Sequence, residues 1–314
     1  MEWSERIGRR IKLRDLHILL AVVQCKSMAK AAEHLSVSKP VVSKVIADLE
    51  HVLGVRVLER DRHGAEPTIY GAALLKRGIA AFDELREGVK DIEFLIDPKA
   101  GDVRIGCNLF LATSFVSAVV DRLSLRFPRI VFHVVARPAE MLHHELSERK
   151  VDFLIARRPE AFADERSAFE RLFGDKFVVM AGVQNPWIGR RHIEIADLMN
   201  EAWVLPPPVG VGVGSVFLKA FRDRGFDYPC TTVFSDSPHV RMSLLETGRF
   251  LSIFSESALR FPSERPGVRI LPAELPLARV PVGVVTLKNR TLSPVARLFI
   301  EYAREVAKPL AKRK

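Results

Sequence analysis

The stretch over residues 27–50, SMAKAAEHLSVSKPVVSKVIADLE, constrains the fold more than any other part of the chain. Met28, Ala31, Ala32 and Leu35 recur at helical spacing, so a short helix buries that stripe. SVS breaks the run and places Ser38 to cap the next helix through its hydroxyl. Pro40 fits a helix only in the first turn, where no intrahelical N–H is lost. A second helix is therefore expected from about Lys39 to about Glu50. At about 100° per residue, Val41, Val42, Val45, Ile46 and Leu49 share one arc, and Pro40, Ser43, Lys44 and Ala47 lie opposite. That outward arc is small, polar and basic, a shape suited to a DNA major groove.

Two short helices alone also describe any helical hairpin with a solvated face. The flanks decide between the readings. Upstream, Leu16, Leu19, Leu20 and Val23 form a third amphipathic helix that can pack behind the pair. Downstream, LGVRVLERDRHGAEPTIYG offers two extended pieces, at 55–58 and 68–70, joined by a basic turn with Arg60, Arg62, His63 and Gly64. Three helices followed by a hairpin make a winged helix-turn-helix.

These residues resemble the LysR-type transcriptional regulators. Their N-terminal pattern reads S-F-T-x-A-A-x-x-L-x-V-S-Q-P-A-L-S-x-x-I-x-x-L-E-x-x-L-G-x-x-L-F-x-R, then L-T-x-x-G. Here it stands as SMAKAAEHLSVSKPVVSKVIADLEHVLGVRVLER with PTIYG, without a gap. Within the family, MAKAAEHLSVS and VVSKVIADLEHVLGV look most like regulators of sugar-uptake genes, those controlling galactose-binding proteins. The resemblance implies DNA-facing roles for Ser27, Met28, Ser38, Lys39, Pro40, Ser43, Lys44, Arg60 and Thr68. Two of these depart from the pattern. Met28 stands where Thr or Ser is usual and cannot make a hydroxyl's phosphate contact. Lys39 replaces a glutamine that reads adenine with a point charge suited to guanine or phosphate.

Residues 70–97 contain no proline, and Leu75, Ile79, Phe82, Val89, Ile92 and Ile96 hold a near-heptad stripe flanked by Leu85. A helix with such a stripe needs a partner, either a second subunit or the chain's own C-terminal part. The resemblance favours the subunit, making this the helix of a homodimer or homotetramer. Asp97 to Gly101, DPKAG, stops it.

The remainder alternates strand and helix: DVRIGC, a helix over 113–127, IVFHVV, a helix over 139–149 and VDFLIA. KFVVMAG opens a second set with AWVLP, a helix over 213–224, TTVFS, a helix over 239–247 and FLSIF; VPVGVVTL and a helix over 294–307 close the chain. The expected fold class is α/β with an N-terminal winged helix-turn-helix, its effector part resembling a two-lobed periplasmic-binding-protein-like domain. The expected division is 11–69 for DNA binding, 70–97 for the linker and dimerisation helix, and 102–314 for the effector domain. Within the last, lobe I spans about 102–172 and 279–314, and lobe II about 173–278.

Ligands of open α/β sheets bind beyond the carboxyl ends of the strands. Strand ends, together with the pattern of the family it resembles, give the effector candidates: Asn108, Leu109 and Phe110 after the first strand, Arg137 and Pro138 after the second, and Arg157 after the third. Pro206, Val209 and Gly210 follow AWVL, and Phe250 follows the glycine after the last lobe II helix. The arginines suit a carboxylate or phosphate, while the aromatic and amide groups also suit a sugar. A sugar, a sugar acid or another organic acid is the expected effector, with RNA polymerase as a further partner.

Composition bounds the alternatives. At 314 residues and 48% apolar, the chain has room for two or three cored domains. MEWSERIGRRIKLRD has no apolar signal core, and three dispersed cysteines make neither a disulfide framework nor a zinc set, so a cytoplasmic protein is expected. Cys107, at a strand end, reads as a buried thiol or a redox sensor. The net charge is +10, yet residues 1–97 hold 16 Lys and Arg against 15 Asp and Glu, so bulk charge does not mark the DNA-binding end. The basic remainder reads as solvated surface ending in AKRK, or as a response to an anionic ligand. GVGVGS at 210–215 lacks the dinucleotide spacing and its following acid, but can present a helix N-terminus to a carboxylate or hydroxyl. His143 and His144 lack metal-ligand spacing. No nucleophile elbow, phosphate loop or paired catalytic carboxylates stand in the sequence, so neither an enzyme nor a cofactor or metal is expected. The competing reading is a solute-binding protein or α/β enzyme with an accessory helical domain; the winged helix and the stripe helix argue against it.

Overall fold

A computed structural model describes residues 10–61, 64–157, 166–209, 213–260 and 267–311. The chain forms two compact units, divided after Gly88. In the first unit, α1 (Leu13–Cys25), α2 (Met28–His34) and α3 (Lys39–Leu53) precede a hairpin of β1 (Leu58–Asp61) and β2 (Gly64–Pro67). The long α4 (Ile69–Ile96) then begins. Ile18, Leu19, Val22, Ala31, Val42, Ile46, Leu49 and Val57 make one core. Each helix contributes the stripe that its spacing dictates.

The wing strands lie nearer the turn than the sequence suggested. The expected pieces at 55–58 and 68–70 give way to antiparallel pairing of Leu58 with Pro67 through Asp61 with Gly64. The reason lies at both ends of PTIYG. Thr68 Oγ1 donates to the Arg56 carbonyl at 2.7 Å and accepts the Gly71 N–H at 3.0 Å, so Thr68 caps α4 instead of extending a strand. Gly71 packs its backbone on Val57, where any Cβ would collide with the Val57 carbonyl oxygen. The motif is a splice between wing and helix.

The second unit holds two five-stranded sheets among the described residues. Lobe I combines β3 (Ala100–Cys107), β4 (Arg129–Ala136), β5 (Phe153–Arg157), β6 (Ser167–Asp175) and β12 (Val280–Leu287), in the order β4-β3-β5-β12-β6. The helical turn α5 (Leu109–Leu111), a π-helical turn (Ala112–Val116), α6 (Ser117–Arg126), α7 (Ala139–Ser147) and the C-terminal α12 (Pro294–Ala311) cover its faces. Lobe II combines β7 (Phe177–Gly182), β8 (Trp203–Leu205), β9 (Thr231–Phe234), β10 (Leu251–Ser255) and β11 (Val268–Ile270), in the order β11-β7-β10-β8-β9. Its helices are α8 (Ile195–Leu198), α9 (Val213–Arg222), α10 (Pro238–Glu246) and α11 (Ser257–Arg260).

Within lobe I, β4, β3 and β5 run parallel, as two crossover helices demand. β12 returns antiparallel to β5 and β6. Because β6 runs to Asp175 in the lobe I sheet, the lobes part at Lys176 and not at about 172. Lys176 alone separates β6 from β7, so the first crossing is one residue long. Among the described residues, no helix is long and apolar enough to cross a membrane.

Candidate functional site

At the start of α3 the outward face is made by Ser38, Lys39, Pro40, Val41 and Lys44, all exposed. Pro40 occupies the first turn, and Gly54 ends the helix in the left-handed conformation at φ 72°. Two expectations change here. Ser38 holds the N-cap backbone position, but its hydroxyl makes no cap hydrogen bond; its carbonyl accepts from Val41 and Val42 instead. Val41, assigned to the core arc by the wheel, is 36% exposed because nothing packs over the first turn. An exposed β-branched methyl pair there can meet a thymine methyl.

Ser43 does not stand free on the outward face. It is half-buried, and its hydroxyl donates to Met28 Sδ at 3.6 Å, tying α3 to α2. Ser27 caps α2 by accepting from the Lys30 N–H at 3.4 Å. Met28 therefore replaces a hydroxyl contact with an internal brace. Arg60 lies on β1 opposite Ala65, with its side chain outside the described residues, as are Arg62 and His63. Sequence reasoning missed Glu50, whose carboxylate accepts from the Val57 and Leu58 N–H groups at 2.8 and 3.2 Å and so hangs the wing from α3. Its place in the LE of the family pattern was the available signal.

In the second unit the expected effector residues separate into groups. Asn108 caps α5, its Oδ1 accepting from the Leu111 N–H at 2.9 Å, and Leu109 is exposed beside it. Arg137 and Pro138 are exposed at the end of β4; the Arg137 guanidinium reaches only the Ala136 carbonyl, at 3.2 Å. Pro206 is buried and accepts from the Tyr228 hydroxyl at 2.9 Å, while Val209 is 69% exposed. Gly210, with most of the GVGVGS loop, lies outside the described residues; Gly214 opens α9 tight against the Pro207 carbonyl, where a Cβ would not fit.

Two expected positions look different in the fold. Arg157 does end β5, but its guanidinium is already engaged, pairing with Asp175 at 3.1 Å and lying over the Phe177 ring at 5.3 Å. Phe250 is buried at the amino end of β10, which runs parallel to β8, and so sits at the sheet edge opposite the cleft.

What the two lobes share is a cluster that the sequence did not announce. Phe110, from lobe I, stands edge-on to Phe254 of lobe II with centroids 5.7 Å apart. The Arg241 guanidinium, from α10, lies 4.7 Å from both ring centroids. Arg241 is 1% exposed and donates a hydrogen bond to the Ile253 carbonyl at 3.2 Å. Burial pulls its pKa down to about 10, against the more distant pull of Tyr228 and Asp236. Nearby, Asp175 accepts from Arg157 and from the Ser257 hydroxyl at 2.8 Å, bracing the crossing between the lobes. Cys107 is fully buried, and burial raises its thiol to about 12, the state of a packing thiol and not of a reactive one. His144 is exposed, 3.8 Å from Glu148, and no group of three or more His, Cys, Asp or Glu among the described residues can hold a metal ion.

A winged helix-turn-helix in the same chain as a two-lobed ligand domain defines a transcription regulator under small-molecule control. The chain belongs to the LysR family. Residues 13–72 match the bacterial regulatory helix-turn-helix protein of that family, and residues 97–308 match the LysR substrate binding domain. It is a DNA-binding regulator and not an enzyme. Among curated proteins it is 26% identical to the HTH-type transcriptional regulator GbpR of Azospirillum brasilense, over 92% of this chain and 84% of that one. It is 27% identical to the transcriptional dual regulator GltC of Bacillus subtilis (strain 168), over 93% and 96%. Among solved structures, a full-length OxyR variant from Pseudomonas aeruginosa shares the fold at TM-score 0.68 and 18% identity, covering 98% of this chain and 100% of that one. The LysR family regulator CbnR does so at 0.62 and 17%, covering 95% and 100%.

Proposed function

We propose that the chain works as a homo-oligomer that sets the α3 helices of two copies into paired half-sites of promoter DNA, and that an effector held between the lobes switches it. The carrying observation is the exposed start of α3, where Lys39, Val41 and Lys44 offer two cations and an apolar contact with no acid among them. Cations position a protein on phosphates and read guanine, and methyl groups read thymine. Arg60 and Thr68 belong to the wing side of the same interface, with Thr68 acting through its cap.

A titration of wild-type and Lys44→Ala protein on promoter DNA tests this. If Lys44 reads a base, specific binding weakens by about 1–3 kcal/mol. If it meets phosphate, affinity falls on every sequence and the salt slope flattens by about one unit. Unchanged binding removes α3 from the groove.

The exposed face of α4 supports the oligomer. Leu85, Val89, Ile92 and Ile96 lie on the surface at spacings of four, three and four, the seam a second copy of α4 would cover. Asn108, Leu109, Phe110, Arg137, Pro138, Pro206 and Val209 line strand ends of the two lobes and remain the candidates for effector contact, with a sugar, a sugar acid or another organic acid as ligand. The sugar-uptake reading of the subgroup rests on the MAKAAEHLSVS and VVSKVIADLEHVLGV segments. RNA polymerase is the partner that a promoter-bound regulator would touch, and a regulator of promoters works in the cytoplasm.

A further inference from the structure

The interlobe cluster narrows the effector, and the inference rests on the ligand-controlled reading above. Three buried or nearly buried arginines occupy the described part of the second unit's interior, and two are matched to acids. Arg290 pairs with Asp152 at 2.9 Å, and Arg157 with Asp175 at 3.1 Å. Arg241 is different. It is 1% exposed, and among the described residues no carboxylate is in ion-pair contact with it; Asp236 acts only from longer range, while Arg157 adds a second positive field. Its Nε, like that of Arg157, has no hydrogen-bond partner, so what sets Arg241 apart is the missing carboxylate. The residue also enters at the first turn of α10, a nine-residue helix capped by Ser237, whose amino end adds partial positive charge.

Burying a charge is costly unless something of opposite sign meets it. Among the described residues, the faces of two aromatic rings, one from each lobe, supply the close negative potential. We propose that the effector of this chain is anionic, a carboxylate or a phosphate, and that Arg241 reads its charge. A guanidinium offers a planar fork to either group. An anion that engages it supplies the missing acceptor and shifts the guanidinium relative to Phe110, its contact with lobe I. The same residue thus fixes ligand class and reports occupancy to the opposite lobe. A neutral hexose leaves the charge unanswered.

The test uses full-length protein. Crystals soaked in sodium bromide give an anomalous peak at the Arg241 guanidinium if the position is an anion site; bromide ordered elsewhere but absent there overturns the proposal. In calorimetric titrations with malonate, phosphate and galactose, the proposal expects one of the two anions to bind wild type at least about 30-fold more tightly than Arg241→Met, following from a loss of a buried charged contact. Malonate and phosphate separate the two sources of negative charge. Galactose binding with equal affinity in wild type and Arg241→Met overturns an anionic effector. If neither anion binds, the bromide result decides. Promoter binding measured in parallel keeps the readings apart: its failure in wild type strikes the regulator, whereas its persistence without a bromide site strikes only the assignment of Arg241.

Discussion

Glu50 shows how one carboxylate can hold an element in place. It accepts two backbone N–H groups of the wing, and hydrogen bonds to a charged group contribute about 1.5–3 kcal/mol each at most. Glu50→Ala should therefore lower the unfolding free energy by roughly 2 kcal/mol, read by urea denaturation. Glu170 and Arg304 make a contrasting forked pair at 2.7 and 2.9 Å, half-exposed on both sides. The hydrogen bond from Arg304 holds the Glu170 carboxyl below its ordinary value of 4.5. A carboxyl depressed in the folded state stabilises above its unfolded pKa and loses that contribution as pH falls through the folded one. Solvent screening limits such a pair to about 0–1 kcal/mol. Arg304→Ala should accordingly cost a few tenths of a kcal/mol at pH 7, with the gap to wild type closing below about pH 4.5. A gap that widens in acid would contradict the pairing.

Elements with a strong local period are legible in the sequence, and those defined by distant partners are not. α1 to α3 follow from stripes and a first-turn proline because each is fixed within a few residues. β6 escapes such reading: SAFERLFGD mixes charges into its apolar positions, and its pairing partner β12 lies far along the chain. Arg241 sits in PHVRMSLL, where no spacing distinguishes it from a surface arginine, and Phe110 reaches it only through the fold. The stripe of α4 is legible as a stripe but not in its division. Phe82 packs edge-on to His17 at 5.9 Å within its own unit, so Phe82→Asp should destabilise the winged domain. Ile92 is 59% exposed. Ile92→Asp should leave the fold intact and dissociate the oligomer, with promoter affinity falling alongside, since a two-fold assembly reads paired half-sites. Sedimentation showing an intact oligomer would remove this seam.

At the scale of the whole molecule, the second unit is two sheets joined through a buried ionic brace. Asp175 is 2% exposed and answers Arg157 and Ser257 where β6 passes into β7. Removing one partner of a buried pair typically costs about 3–5 kcal/mol because the other charge is stranded. Asp175→Asn should show a loss of that order in thermal unfolding of the full chain, while Lys44-dependent contacts with DNA keep their salt slope, since Lys44 belongs to the other unit. A wild-type melting curve for Asp175→Asn would mean the brace carries no weight.

The close seating of Gly71 on Val57 has a consequence for the operator itself. With no side chain between them, wing backbone and helix backbone meet without the slack a rotamer would allow, so the reading head cannot swivel at the root of α4. In the two-fold assembly proposed above, two heads so jointed would act as a calliper with a set gap. B-DNA turns once in about 10–10.5 base pairs, so a single inserted pair between half-sites rotates one of them by roughly 35° away from its reader. Promoters should therefore tolerate spacing changes of a whole helical turn better than changes of half a turn, a periodic dependence that a footprinting series over spacer length would trace, and Gly71→Ala, by prising the joint open, should blur that periodicity.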